Sequence, residues 1–312
     1  MNTPAPTPSS GGSTSRRRNL EARDSRLGVA LLSPTVALFA VLVAYPLIEA
    51  VWLSFTRTHT LRRRSQYIGL ENYTDLFAMP DFWISLQNNL VWTAGTLTLQ
   101  VVLGVAVALM LHQNFVFRSV ARSLILFPYL LPVVVAVLIW QWLFNDLYGF
   151  MNHFLLTTGL ISGPIDWLGA LPNAMISIIL VGAWKYFPFV VIAVLARLQT
   201  IPEPLYDAAK IDGANAWQRF WDITLPQLRG VLFIVILLRA IWDFKEFDLI
   251  FLLTGGGPVI GTQTLPLLVY KESFRLFHMG LSAAIAVAMF VVMLGFMAMY
   301  FYLYRRQEEE EA

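Results

Sequence analysis

The chain has 312 residues, of which 57% are hydrophobic and only 13% charged, with a formal net charge of +2. A soluble domain is about half apolar and about a quarter charged, so this composition points to an integral membrane protein, and the small net charge gives no reason to expect nucleic acid as a partner. Cysteine is absent, which excludes disulfides, thiol catalysis and cysteine metal sites. The four histidines, His59, His112, His153 and His278, are scattered through loops with no pair at zinc-ligand spacing on a helix, so no metal site is expected.

Residues 1–26 open with a stretch rich in Pro, Ser, Gly and Thr that cannot bury a core, followed by the basic run Arg16 to Arg26. They are expected to form a disordered basic N-terminus. The next apolar run, Leu27 to Phe55, is longer than the roughly 7–15-residue core of a signal peptide and has no convincing small-residue cleavage site. It reads as a retained transmembrane helix.

A membrane helix needs about 20 apolar residues. Six segments satisfy that: 28–53, 89–111, 120–144, 173–196, 230–253 and 281–304. Pro46, Pro128, Pro132 and Pro188 fall in or near them, as membrane helices tolerate when neighbours re-satisfy the backbone. The fold class expected is therefore an all-α integral membrane protein of six transmembrane helices. Three loops lie on one side, Arg57 to Leu86, Asn145 to Pro172 and Thr254 to Gly280. Trp140 and Trp142 are expected in an interfacial belt, and Asn88 and Asn89 at a helix start, with contact to substrate as their other reading.

Positive charge sets the orientation. With the N-terminus inside, thirteen of the 22 Lys and Arg are cytoplasmic and six external, the other three lying within spans. Arg62 to Arg64 run against this assignment. Both termini are then cytoplasmic, including the acidic tail 307–312.

One polar stretch, 204–226, interrupts two long apolar segments and falls on the cytoplasmic side. Pro204 suits a first helical turn. Gly213 permits the positive φ of a tight reversal. Asn215 with Gln218 three residues on has the form of a capping box. Ala216, Trp217, Phe220 and Trp221 give the second helix an apolar side, and Leu225-Pro226 is expected to stop it before the next span. Physically, an interfacial helix on the headgroups and a docking helix are equally good readings of this stretch.

The spacing here resembles the EAA motif of ABC-importer permeases: Asp207-Ala208-Ala209, Gly213, Ile223 and Leu225-Pro226. The one departure is Asp207 where the family usually has Glu, a carboxylate shorter by one methylene. The resemblance runs from about Leu27 to Arg306 and is to the carbohydrate branch, the maltose, glycerol-phosphate and multiple-sugar permeases. It is carried by AYPLIEAVWLSF at 44–55, FPYLLPVVVAVLIWQWLF at 127–144, LQTIPEPLYDAAKIDGA at 198–214 and FDLIFLLTGGGP at 247–258. The extra N-terminal helices and large external domain of one well-known maltose-type permease are missing.

The resemblance implies a type I ABC importer permease fold with a cytoplasmic coupling helix, in a bacterial plasma (inner) membrane. It further implies a second homologous permease, an external solute-binding protein, and two cytoplasmic ATPase subunits that carry ATP and Mg. No GxxxxGK[ST] occurs, so this chain supplies no nucleotide site. GGGP at 255–258 reads as a helix-ending turn.

Charges inside spans are costly and face a cavity or each other. Arg239, Asp243 and Glu246 are spaced i, i+4 and i+7, one helical face, and Lys245 and Asp248 lie on a neighbouring face. The fourth span adds Lys185 with Trp184, Tyr186 and Phe189. Such a lining suits sugars: polar groups bind hydroxyls, and aromatic faces cover the C–H faces of the ring. The resemblance puts Tyr186, Phe189, Arg239, Asp243 and Glu246 on the faces that line the sugar cavity. Mutual neutralisation that holds the bundle together is the other reading of these charges. From other function classes, an integral-membrane enzyme acting on lipid-linked sugars and a secondary transporter remain as alternatives.

Overall fold

Helices dominate because a chain this apolar has no water with which to satisfy its backbone in lipid, and a helix satisfies it internally. The computed structural model describes residues 31–59 and 64–311. The basic N-terminus 1–26 and residues Arg62 and Arg63 lie outside the described residues, as do the side chains of Arg64 and of the acidic tail 307–312. The chain divides into two compact units, one ending at Leu53 and the other beginning at Ser54.

The described residues of the first unit form one helical span, α1 (Leu31–Leu53). It contains a π-turn, Ala40–Ala44, closed by a hydrogen bond from the Tyr45 N–H to the Ala40 carbonyl. Pro46 follows directly, and a proline ring and missing N–H are absorbed by such a widened turn.

The second unit opens with an antiparallel hairpin, β1 (Thr56–His59) and β2 (Arg64–Tyr67), with Thr56 opposite Tyr67. The side chain of Asn72, on α2 (Glu71–Ala78), ties it down by donating to the carbonyls of Ser54 and Thr56 at 2.8 and 2.9 Å. Then come α3 (Pro80–His112), α4 (Arg118–Leu130), α5 (Val133–Leu143), α6 (Phe150–Thr157), α7 (Asn173–Leu198), α8 (Glu203–Ile211), α9 (Ala216–Phe244), α10 (Asp248–Leu253), α11 (Leu265–Tyr270) and α12 (Met279–Glu311).

Helices α3 and α7 form the axis of this unit. Trp92 of α3, Ile178 and Val181 of α7, and Leu249 and Ile250 of α10 make one buried cluster. Ala108 and Leu111 of α3 meet Val190, Val194 and Leu198 of α7 and Leu228 and Val235 of α9 in a second. Leu76, Phe82, Leu265, Leu268 and Ile285 make a third. The α3–α7 contact depends on two glycines. A Cβ at Gly104 would lie 2.5 Å from Val190, and one at Gly182 would collide with the Trp92 ring. In lipid the hydrophobic effect does not drive helices together, so such close backbone approach and its dispersion contacts are what hold them.

Four expectations about the spans need correction. The second helix starts at Pro80, well before residue 89, with Pro80 in its first turn where the lost N–H is harmless. The segment 120–144 is two helices, α4 and α5, bent by 96° at Leu131-Pro132. Pro132 forces Leu131 out of the helical region, to ψ 138°. The segment 230–253 is broken after Phe244, so α9 and α10 are separate. Finally, Leu225-Pro226 does not stop the short second helix of the polar segment 204–226. The helix runs unbroken from Ala216 to Phe244, because the π-turn Phe220–Thr224 shifts the hydrogen-bond ladder just before Pro226.

Among the described residues, six segments are long and apolar enough to cross a membrane when the bent pair is counted as one, and five when only straight helices are counted. GGGP does form the turn that ends α10: Gly255 and Gly256 have φ of 61° and 92°, and Gly255 N–H reaches the Ile250 and Phe251 carbonyls.

Candidate functional site

The polar segment 204–226 is a preformed corner. Its first helix, α8, has Pro204 in the first turn. Gly213 sits at φ 81°, a conformation that costs glycine nothing. Asn215 then caps α9 in a complete capping box: its backbone N–H donates to the Gln218 Oε1 at 2.8 Å, and its Oδ1 accepts from the Gln218 N–H at 3.0 Å. The corner is fastened to the bundle by Tyr206, whose hydroxyl pairs with that of Thr224 at 3.0 Å. Arg197 of α7 adds bonds to the Gln227 carbonyl and side chain at 2.9 and 2.8 Å.

The motif residues divide by exposure. Asp207, Ala208 and Gly213 are exposed; Ala209, Ile223, Leu225 and Pro226 are half-buried on the side toward the bundle. Asp207 is held by Lys210 at 2.9 Å, an exposed pair of small energetic worth. Ile211 is 87% exposed and Trp217 69%, so the corner presents apolar side chains outward.

The second candidate region lies where α9 ends. Arg239 and Asp243 pair directly, and both are buried. Gln100 of α3 bridges them. Its Oε1 accepts from Arg239 Nε at 2.7 Å and its Nε2 donates to Asp243 Oδ2 at 3.1 Å. The Arg239 guanidinium lies over the Tyr186 ring, 4.4 Å from its centroid, and 5.5 Å from that of Trp242. A buried ion pair survives only when its remaining hydrogen-bonding capacity is met, and Gln100 and the two rings meet it here. The broken helix end is covered in the same way: Trp92 Nε1 donates to the Asp243 carbonyl at 2.9 Å and Asn89 Nδ2 to that of Phe244 at 3.1 Å.

Glu246 lies beyond the break, so the expected single face with Arg239 and Asp243 does not exist. It accepts from the Tyr186 hydroxyl at 3.1 Å and from the Leu249 N–H at 3.1 Å, capping α10. Lys185, buried on α7, lies with its ammonium 5.5 Å from the centroid of the Tyr186 ring but spends its hydrogen bonds on the third span, donating to the Leu131 carbonyl at 2.6 Å and to that of Pro128 at 3.3 Å. Phe189 packs edge-on to Trp242 at 5.2 Å. Lys245 and Asp248 are both exposed. Among the six substrate-path candidates, Tyr186, Arg239, Asp243 and Glu246 thus converge, while Lys185 and Phe189 stand beside them.

The partners Gln100 and Trp92 were not singled out in the sequence, and Asn89 was read there only as a helix start or a substrate contact. Gln100 carried a usable signal, a lone amide in an apolar span. Asn89 and Asn88 do not start a helix. They sit inside α3 and hold the segment after α10, Asn88 donating to the carbonyls of Ile260 and Gln263 at 2.9 and 3.0 Å. Nor is Trp140 a belt residue, since it packs against Phe144 and Trp184; Trp142 is exposed. A row of rings, Phe247, Phe251, Tyr270 and Phe274, continues outward from the Tyr186 region at 5.0–5.3 Å between neighbours. Among the described residues no cluster of His, Asp and Glu has the geometry to hold a metal.

A bundle of kinked membrane helices with a fixed polar corner between two spans defines a transport permease. The chain belongs to the family of binding-protein-dependent transport system inner membrane components, whose model matches residues 100–309. It is 34% identical over 281 residues to the trehalose/maltose transport system permease protein MalF of Thermococcus litoralis, covering 90% of this chain and 94% of that one. Its fold matches a chain in the crystal structure of a bacterial ABC transporter that imports the acidic polysaccharide alginate. The TM-score is 0.82 at 21% identity, covering 93% of this chain and 99% of the other. A second alginate transporter structure, in complex with a periplasmic protein bound to an alginate pentasaccharide, matches with TM-score 0.81 at 22% identity over 92% and 96%. The chain is a multi-pass membrane protein and a transport component of an ABC importer that works with a binding protein. This membership replaces the enzyme and secondary-transporter alternatives.

Proposed function

We propose that this permease imports a sugar or sugar derivative across a bacterial plasma (inner) membrane, paired with a second homologous permease. The corner formed by α8 and the start of α9 faces the cytoplasm in this reading, with both chain termini on that side. Two ATPase subunits, carrying ATP and Mg, receive it through Asp207, Ala208, Ala209, Gly213, Ile223, Leu225 and Pro226. Exposed Asp207, Ala208 and Gly213 meet the ATPase. Half-buried Ile223, Leu225 and Pro226 carry its displacement into α9, because the π-turn keeps corner and span one continuous helix. Closure of the ATPases on ATP draws the corners together and turns the cavity outward. An external binding protein delivers the sugar there, and hydrolysis lets the cavity return inward.

On the sugar path, Tyr186, Phe189 and Glu246, which are half-buried, meet the substrate. Arg239 and Asp243 are enclosed and act one step back, orienting Tyr186 from beneath its ring. Lys185 keeps the bent span in shape.

The single observation that carries this reading is the corner itself: a fully capped, outward-facing reversal with the family spacing at every position. A relative that carries neutral disaccharides and a similar fold that carries an acidic polysaccharide support a sugar, and leave its charge to experiment. The test is reconstitution of this chain with its partner permease, ATPase and binding protein in proteoliposomes. Radiolabelled mono-, di- and acidic sugars are offered with and without ATP. ATP-dependent accumulation of one sugar class, abolished by omission of the binding protein, is expected. Accumulation without ATP, or of no sugar while another solute class is taken up, would overturn it.

A further inference from the structure

Four rings follow Glu246 in a continuous row. Phe247 and Phe251 stack at 5.0 Å, and Tyr270, the last residue of α11, lies 5.3 Å from Phe247 and 5.0 Å from Phe251. Phe274, in the π-turn Lys271–Arg275, is 5.3 Å beyond Tyr270. Exposure rises along the row: the first three rings are half-buried and Phe274 is 62% exposed.

The row leads away from the α8–α9 corner. Along α3, Gln100 meets the Asp243 side chain, Asn89 the Phe244 carbonyl, Asn88 the carbonyls of Ile260 and Gln263, and Asp81 the Lys271 ammonium at 2.9 Å. From residue 100 to residue 81 the helix climbs about 28 Å at a rise of ~1.5 Å per residue. The opposite end of α3, at Ala108 and Leu111, packs in one cluster with Tyr206 of α8.

The row is bordered by charge. Lys245 and Asp248 flank Phe247 in the chain and are exposed, as is Arg275 beside Phe274. The side chains of Lys271 and Asp81 are each about a third exposed. Charged side chains are rarely turned toward hydrocarbon, so these rings border water rather than lipid. Ring surface left in water beside hydrogen-bonding groups suits a ligand with an apolar face and polar edges, which is the character of a pyranose.

We propose that Phe247, Tyr270 and Phe274 form a second sugar subsite, outward of the one at Tyr186, Phe189 and Glu246, where the next ring of an oligosaccharide is held. The substrate class is then a sugar of two or more rings, an inference that rests on the sugar reading of Tyr186 and Glu246.

The test uses the full-length chain in the assembled transporter, without the external binding protein, so that any preference belongs to the permease. Binding of glucose, maltose and maltotriose, and of galacturonic acid with its dimer and trimer, is titrated by saturation-transfer NMR. In one of the two series the trimer should bind the wild type about fivefold tighter than the monomer, the order expected of one added ring contact. Phe274→Ala should remove that advantage and leave monomer binding unchanged. Phe274→Tyr, which keeps the ring, and Phe154→Ala, at an exposed ring on α6, should behave as wild type. Glu246→Gln should weaken monomer and trimer alike. A trimer advantage that survives Phe274→Ala, equal weakening of monomer and trimer by that variant, or no trimer advantage in the wild type would overturn the second subsite. If Glu246→Gln still weakens the monomer, the sugar reading stands without it; binding of no sugar would remove both.

Discussion

The ammonium of Lys185 lies 2.6 Å from the carbonyl oxygen of Leu131, and so a residue of the fourth span closes the gap in the backbone of the third. The bend at Leu131-Pro132 removes helical partners from the carbonyls of the last turn of α4. In hydrocarbon each unsatisfied carbonyl costs several kcal/mol. Lys185 supplies donors to two of them, at Leu131 and Pro128, and in exchange finds oxygens for its own charge.

Replacement of Lys185 by Met is therefore expected to act on stability before transport. Loss of one buried charged donor with two acceptors left behind corresponds to about 2–3 kcal/mol. Thermal unfolding in detergent should show a clearly lowered midpoint. An unchanged midpoint with abolished uptake would instead make Lys185 a substrate contact.

Arg239 and Asp243 form a second testable unit. Arg239→Met alone leaves a buried carboxylate uncompensated and should cost roughly 3–5 kcal/mol. Combined with Asp243→Leu and Gln100→Leu, much of that loss should return, because apolar side chains at all three positions leave no buried polar group unpaired. Thermal midpoints of Arg239→Met, of Asp243→Leu and of the combined variant, each measured with Gln100→Leu, give the coupling. Additive losses would remove the pair from the account.

Glu246→Gln keeps the shape of the residue and can still accept from the Tyr186 hydroxyl and the Leu249 N–H. Assembly and basal ATPase activity are expected to hold, with uptake and sugar-stimulated ATPase activity falling at least tenfold. Full uptake by this variant would move the sugar path away from Glu246.

The α3–α7 contact predicts that Gly182→Leu disrupts folding. Its side chain would occupy the space of the Trp92 ring, and overpacking of this kind costs about 1–3 kcal/mol or more. Size-exclusion chromatography should show loss of the monodisperse species, whereas Gly230→Ala, where a Cβ meets nothing within 4 Å, should elute as wild type.

Much of this was legible in the sequence, for identifiable reasons. Apolar length located the helices, and the Gly213 reversal and the Asn215–Gln218 box followed from local chemistry that acts within four residues. What the sequence hid was non-local. Pro132 was visible, but a 96° bend rather than a kink depends on Lys185 being present 54 residues away to satisfy it. Pro226 looked like a helix stop because its tolerance rests on a π-turn that no residue type announces. The i, i+4, i+7 spacing of Arg239, Asp243 and Glu246 suggested one face; the break after Phe244, covered by Asn89 and Trp92 from α3, undid it.

The central claim is that the α8–α9 corner transmits force from an ATPase. The natural chain contains no cysteine, so Ala208→Cys, at an exposed motif position, introduces a single thiol. The measurement is oxidative cross-linking of that thiol to a cysteine placed in the ATPase cleft, with and without ATP. The account predicts a cross-linked pair, reversible by reductant, that forms in the assembled transporter and is lost when Gly213→Pro is added, since proline cannot take the φ of 81°. Active, ATP-driven transport by the Ala208→Cys protein with no cross-link to either ATPase subunit, or association unaffected by Gly213→Pro, would contradict it.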